Sequence, residues 1–168
     1  AMNSKRLLLP LVVLAALLAG CASKDCYDNK NSLPLATFYR DGEHGPTQVS
    51  LDSVKVYGVG APRDSVLVDT ASSIQELFLP FRIDGGSTTY VIEYVDTRHR
   101  GMADTVTFNY DAKPWFVSEA CGAIYIYEMK SIETTKWLLD SVTCPQGIID
   151  NKPVSNLYFY LKERSGEL

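Results

Sequence analysis

Leu77-Phe78-Leu79-Pro80-Phe81-Arg82 and Thr89-Tyr90-Val91-Ile92-Glu93-Tyr94, with Asp84-Gly85-Gly86-Ser87 between them, decide the fold class. The first run is rich in leucine and phenylalanine and the second in β-branched and aromatic residues, and neither has the three-to-four residue spacing of an amphipathic helix. The paired glycines supply the positive φ that a tight reversal needs, so the spacing predicts a β-hairpin. The same grammar extends in both directions. Leu33 to Arg40 and Ser53 to Val59 alternate apolar and polar residues across the turn-forming Asp41-Gly42-Glu43-His44-Gly45-Pro46. Ser65 to Val68, Ile74 to Phe81, Thr88 to Asp96, Thr105 to Tyr110, Trp115 to Ala120, Ala123 to Met129, Trp137 to Val142 and Leu157 to Leu161 are further strand candidates, most of them bounded by Gly, Pro, Asp or Asn. Thr134 to Leu139 can alternatively form one helical turn. About nine strands without a convincing helix predict an all-β protein. The expected architecture is an antiparallel β-sandwich of immunoglobulin-like topology over residues 33–164. The ten tyrosines suit such a core, because a ring can pack inside while its hydroxyl reaches the rim.

The first residues carry an address. Lys5 and Arg6 precede an apolar run from Leu7 to Leu18 that ends in Leu18-Ala19-Gly20-Cys21, the layout of a secretory signal over residues 1–20. The run is too short for a bilayer-spanning helix, which needs roughly 20 apolar residues, and Pro10 interrupts it. Leu-Ala-Gly-Cys resembles the lipobox of bacterial lipoproteins. That resemblance implies a thiol acylated at Cys21, cleavage before it, and residues 21–32 as a lipidated tether. Each buried methylene adds about 0.8 kcal/mol of membrane affinity, so two or three chains hold a protein stably. No Asp directly follows the cysteine, which implies the outer membrane. Ser23-Lys24-Asp25 partly resembles the signal that sends lipoproteins to the cell surface in one phylum of Gram-negative gut anaerobes, so both the periplasmic and the surface side stay open.

Cleavage leaves 148 residues with fourteen Lys and Arg against twenty Asp and Glu, a formal charge of -6. A domain of that length buries a substantial core. Its acidity, with no cluster of Lys and Arg, argues against nucleic acid. Once Cys21 is assigned to lipid, Cys26, Cys121 and Cys144 remain, an odd number in an oxidising compartment. One disulfide and one thiol follow, with Cys26–Cys121 or Cys121–Cys144 as the pair. No metal site is expected, since neither His44 nor His99 stands at ligand spacing from these cysteines.

The residues give no catalytic set, so a non-enzymatic protein without a cofactor is expected, with a hydrolase as the third-ranked reading. Both histidines lie in turn-forming segments rather than beside a Ser or Cys nucleophile. Gly58-Val59-Gly60-Ala61-Pro62 lacks the third glycine and the helix of a dinucleotide loop. A calcium site through Asp84, Asp96, Asp104 or Asp111 would have no EF-hand spacing behind it. Trp115 and Trp137 are the candidates for stacking on sugar rings. One pattern exceeds chance: Asp52-Ser53-Val54, Asp64-Ser65-Val66, Asp69-Thr70-Ala71, Asp104-Thr105-Val106 and Asp140-Ser141-Val142 all read Asp, hydroxyl residue, small aliphatic. Side-chain turns at strand starts account for such triplets. The triplet also resembles the acceptor of a general O-glycosylation system for exported proteins in the same phylum, which makes Ser53, Ser65, Thr70, Thr105 and Ser141 candidate acceptors.

Cys26, Pro34-Leu35-Ala36-Thr37-Phe38-Tyr39, Leu79-Pro80-Phe81, Val106-Thr107-Phe108-Asn109-Tyr110 and, most specifically, Phe116-Val117-Ser118-Glu119-Ala120-Cys121-Gly122 resemble small uncharacterised outer-membrane lipoproteins of the Bacteroides-type phylum. The resemblance spans most of the chain after the signal. It implies Cys26 and Cys121 as the disulfide, leaves Cys144 outside the shared pattern and brings no activity with it. The expected function is an envelope lipoprotein that binds a partner protein or stabilises an outer-membrane assembly. A surface carbohydrate-binding module is the alternative.

Overall fold

The structure, a computed structural model, describes residues 32–60, 65–71, 73–119, 122–152 and 154–162. Residues 1–20, expected from sequence to be a signal, lie outside the described residues, as do Cys21, Cys26 and Cys121. Eleven strands and no helix are found among the described residues: β1 (Leu35–Arg40), β2 (Thr47–Gln48), β3 (Val54–Gly58), β4 (Val66–Ala71), β5 (Glu76–Phe78), β6 (Ser87–Tyr94), β7 (Met102–Ser118), β8 (Gly122–Thr134), β9 (Leu139–Thr143), β10 (Ile148–Ile149) and β11 (Leu157–Leu161). Nine of these have three residues or more, in line with the strand number expected from sequence.

The strands form two packed sheets, a β-sandwich. One sheet runs β2-β1-β11-β9, with β5 also paired to β1, and the other runs β10-β8-β7-β6-β3-β4. All pairings are antiparallel except β1 with β11, which lie parallel from Ala36↔Leu157 to Arg40↔Leu161. That junction of chain start and chain end is locked at its mouth. The Leu35 N–H donates to Asn156 Oδ1 at 2.9 Å, and the Asn156 N–H donates back to Leu35 O at 3.0 Å. Alternation places the core as expected for period-two strands. Thr88, Tyr90, Ile92 and Tyr94 on β6 point inward with Val106, Phe108 and Tyr110 on β7, and they meet Ala36, Phe38, Leu157 and Phe159 from the other sheet. Phe159 bridges the layers, with ring centroids 5.4 Å from Phe38 and 6.4 Å from Phe108.

The hairpin expected between residues 77–82 and 89–94 does not form. β5 pairs with β1, β6 pairs with β3 and β7, and the segment between them crosses from one sheet to the other. Pro80 offers no N–H to a ladder, and Leu79 and Phe81 are drawn into the core. The carbonyls freed by this crossing are taken by tyrosine hydroxyls: Tyr90 donates to Pro80 O, Tyr127 to Phe81 O and Tyr110 to Arg82 O. The Arg82 N–H donates to Thr88 Oγ1 at 3.0 Å. Gly86 still uses its positive φ of 63°, but to open β6 rather than to reverse a hairpin.

A second correction concerns Thr105 to Tyr110 and Trp115 to Ala120, which are not separate strands. Residues 102–118 form a single 17-residue strand, with β8 alongside it from Val106↔Thr134 to Ser118↔Gly122. Pro114 is tolerated because β7 has no described neighbour on its other side past Asn109. Nor is Thr134 to Leu139 a helical turn, since it joins β8 to β9.

On the outer strand β4, Val56↔Val68 and Val54↔Ala71 leave Asp69 and Thr70 opposite Lys55 alone, a β-bulge. Thr70 pays for it with φ of 53°, strained for a β-branched residue. Thr70→Gly is therefore expected to raise stability by up to about 1 kcal/mol, read as an upward shift of the thermal midpoint. A lower midpoint would contradict the strain.

Candidate functional site

The Asp-Ser/Thr triplets divide structurally. Ser53 and Ser65 stand just before β3 and β4, as strand-start turns predict, whereas Thr70, Thr105 and Ser141 lie inside strands. Ser65 and Thr70 are exposed, and Ser53, Thr105 and Ser141 are half-buried. Asp104, the first residue of one triplet, is fully buried. Its Oδ1 accepts from Thr135 Oγ1 at 3.1 Å and the Trp137 N–H at 2.8 Å. Its Oδ2 accepts from Tyr94 Oη at 2.9 Å and the N–H groups of Leu138 and Leu139 at 2.8 and 3.0 Å. Three consecutive backbone N–H groups closing on one carboxylate form an anion nest, so this aspartate is a structural pin for the β8–β9 turn and not an open ligand. Burial, then the charge and hydrogen bond of Asp104, push the Tyr94 hydroxyl far above its ordinary range. Tyr94 is a permanent donor to Asp104.

The histidine segment is also structural. Asp96 accepts from the His99 ring and from the N–H groups of Arg98 and His99 at 2.8 and 3.0 Å, closing the turn before β7. Partial burial works to raise the Asp96 carboxyl, but the hydrogen bonds from the His99 ring and the two N–H groups outweigh it and hold it below the usual carboxylate range. Cys144 is a half-buried free thiol in the turn before β10, and burial pushes it up against the opposing pull of the Gly147 N–H. A thiol shifted in that direction is a weak nucleophile near neutral pH. Among the described residues no group of three His, Cys, Asp or Glu could hold a metal ion. No helix there is long and apolar enough to cross a membrane.

Two surfaces remain. The first is the outward face of the β1–β11 pair. Because Phe38 and Phe159 point inward, Tyr39, Tyr158 and Tyr160 point outward, and their rings cluster, with Tyr39 at 5.2 Å from Tyr158 and 5.8 Å from Tyr160. Thr37 on the same face is buried and bonded through its hydroxyl to Ser155 at 2.6 Å. Ser141 and Thr143 of β9 stand opposite Tyr160 and Tyr158, and Gln48 stands opposite Tyr39. Burial, then the neighbouring Tyr158, Tyr160 and Glu76, push the Tyr39 hydroxyl up. Three tyrosine rings flanked by hydroxyl and amide groups offer stacking and hydrogen bonding together. Sequence reading missed this face. Tyr158-Phe159-Tyr160 showed the alternation, but nothing local showed that the last strand would pair with the first.

The second surface is the outer end of the β7–β8 hairpin, where Trp115 and Phe116 are 59% and 65% exposed. Trp137 is equally open at 58%, yet the two tryptophans do not meet. The Trp137 backbone is held at Asp104, and Trp115 lies eleven positions further along β7, roughly 35 Å of extended strand. A single sugar platform built from both is therefore not formed.

One family model matches, over residues 53–161, with the description "Family of unknown function (DUF6452)". No curated protein and no solved structure matches the chain significantly.

Proposed function

The chain belongs to DUF6452, a family of unknown function, and from that premise we propose that it is a lipid-tethered, non-enzymatic binding module of the outer membrane in bacteria of the Bacteroides type. The Cys21 lipobox supports the tether. Asp104 and His99 are held by structural hydrogen bonds, and burial pushes the Cys144 thiol up, away from the thiolate that would be its nucleophilic form. The single observation that carries a binding role is the outward tyrosine face of Tyr39, Tyr158 and Tyr160, three half-buried rings that cluster on the solvent side of their sheet. Its occupant on this reading is a protein of the envelope, because aromatic residues with polar surroundings are what protein interfaces concentrate. A Cys26–Cys121 disulfide would tie the tether to the β7–β8 hairpin. Among the five candidate acceptors, Ser65 and Thr70 are the most accessible for a glycan.

Affinity purification from detergent-solubilised native membranes tests the role. The wild-type chain is expected to retain a specific partner, and the Tyr158→Ser, Tyr160→Ser double variant to retain at least about ten-fold less, as for loss of an interface hot spot. Equal recovery by both would remove the tyrosine face from the account. The same rings favour a second reading, carbohydrate binding. Saturable heat of binding to oligosaccharides that disappears with Tyr39→Ala would put a sugar in place of the protein partner.

A further inference from the structure

The β7–β8 hairpin leaves the sandwich behind. Tyr110 and Tyr127 are its last fully buried residues in the main core, Ala112 and Tyr125 still pack against that core, and from Ala112 to Ser118 the strand continues for six steps, roughly 20 Å. Across this extension the charges come first, with Asp111–Lys130 and Lys113–Glu128 paired from strand to strand. Beyond them the strands turn apolar. Trp115 stands opposite Ile124, itself buried, on one side of the ribbon, and Phe116 stands opposite Ala123 on the other, with both aromatic rings open to solvent. A docked protein would cover one side of such a ribbon, whereas exposed rings on both sides suit a medium that surrounds it. Pro114 removes an N–H from the free edge of β7, which opposes growth of the sheet by a strand from a second copy.

The chain start identifies the medium. Pro34 accepts from the Leu79 N–H at 2.9 Å, and Phe81, two residues on, stacks on Tyr110 at 4.6 Å and lies 5.3 Å from Tyr127. Moving from Phe38 back to Pro34 thus runs in the same direction as moving from Phe108 out to Tyr110. The first described residues, Ser32 to Pro34, therefore lie at the end from which the hairpin projects. Eleven residue steps separate Ser32 from Cys21, a reach of at most about 36–40 Å, enough to span the projection of the hairpin.

We propose that the outer end of this hairpin is a second membrane contact, with Trp115 and Phe116 docked shallowly into the interfacial layer of the bilayer that holds the Cys21 lipid. The proposal rests on the lipid-tether reading for which membrane is met. Tryptophan and phenylalanine favour that layer, where a large ring is half in hydrocarbon and half among headgroups. Exposed Glu119 at the apex keeps the approach shallow, with its carboxylate among the headgroups. The contact fixes the orientation of the domain above the membrane, which attachment at a single point does not do.

The chain has only two tryptophans, so each single substitution leaves one reporter. Processed full-length protein carrying Trp137→Phe or Trp115→Phe is reconstituted into phosphatidylethanolamine–phosphatidylcholine vesicles with or without brominated acyl chains, and intact mass records whether Cys21 carries lipid. Trp115 emission is expected to fall by roughly half with brominated lipid and Trp137 emission by less than about a tenth, since only the former lies at the interface. Equal quenching of both, or none of Trp115, overturns the proposal. So does a blue shift of Trp115 that follows protein concentration instead of lipid, which would place a second copy there. Quenched Trp115 with unmodified Cys21 keeps the hairpin contact and removes the lipid tether. Lipid on Cys21 with unquenched Trp115 does the reverse.

Discussion

Asp104→Ala is expected to lower the unfolding free energy by at least about 4 kcal/mol, since each buried donor left without its acceptor costs roughly 1–3 kcal/mol and five donors converge here. The costs do not add fully, because water enters the vacated space and the Thr135 hydroxyl can turn away. Even so, the loss is a large part of the roughly 5–15 kcal/mol that holds a domain folded. It corresponds to a fall in thermal midpoint of roughly 12–20 °C for a domain of this size. Asp104→Asn separates shape from charge. With its carbonyl in the Oδ2 position it keeps Tyr94, Leu138 and Leu139, while its amide meets the Trp137 N–H donor to donor, so an intermediate loss of about 1–3 kcal/mol is expected. Asp111→Ala is the control, because its exposed pair with Lys130 contributes less than about 1 kcal/mol. Urea titrations followed by circular dichroism rank the three. If Asp104→Ala behaves like Asp111→Ala, the nest at residues 137–139 does not hold the β8–β9 turn.

Asp104 also shows how far the sequence could be read. Its position was legible: Asp104, Val106, Phe108 and Tyr110 share one phase of a period-two strand, so an aspartate stood where the core was due. Its partners were not, because residues 135–139 reach it only through folding, more than thirty residues away in sequence. The stretches 88–94, 105–110 and 157–161, which lie within β6, β7 and β11, were legible for the same reason of phase, and with them the all-β sandwich. Local signals failed where two opposing ones coincided. Asp84-Gly85-Gly86-Ser87 is sound turn chemistry, yet the chain uses it to change sheets, since β1 captures β5 and β7 captures β6. Asp111-Ala112-Lys113-Pro114 looks like a break, but cross-strand ion pairs and a free edge let β7 run through it. The tyrosine face depends on pairing the first strand with the last, the longest-range fact in the fold. The hairpin end at Trp115 was visible as a residue, though not as a projection, until β7 and β8 were known to be continuous.

Phe81→Ala should have the second large effect, because Phe81 anchors the crossing that replaced the expected hairpin. Its ring stacks on Tyr110 at 4.6 Å and 10°, and its centroid lies 5.0 Å from Phe108 and 5.3 Å from Tyr127. Truncating a buried phenylalanine costs roughly 3–5 kcal/mol through lost transfer energy and the cavity left behind. Aromatic geometry adds about 0.5–1.5 kcal/mol for a well-placed pair. The crossing has no ladder to fall back on, since its carbonyls are held by Tyr90, Tyr110 and Tyr127 rather than by a neighbouring strand. Moving the Phe81 ring therefore loosens the very tyrosines that satisfy the backbone on either side of it. Tyr110→Phe tests the hydroxyl half of this arrangement. It keeps the stack and deletes the bonds to Arg82 O at 2.7 Å and Thr88 Oγ1 at 2.6 Å, for an expected loss of about 1–2 kcal/mol. Because the residues touch and share one network, the double variant should lose less than the sum of the singles by at least about 0.5 kcal/mol. Native-state hydrogen exchange should show the Arg82 amide, bonded to Thr88, opening well below the global unfolding free energy in Phe81→Ala. Additive losses with an Arg82 amide as protected as in the wild type would mean that β5 and β6 are held in their separate sheets without the ring, and that the tyrosine hydroxyls act independently of it.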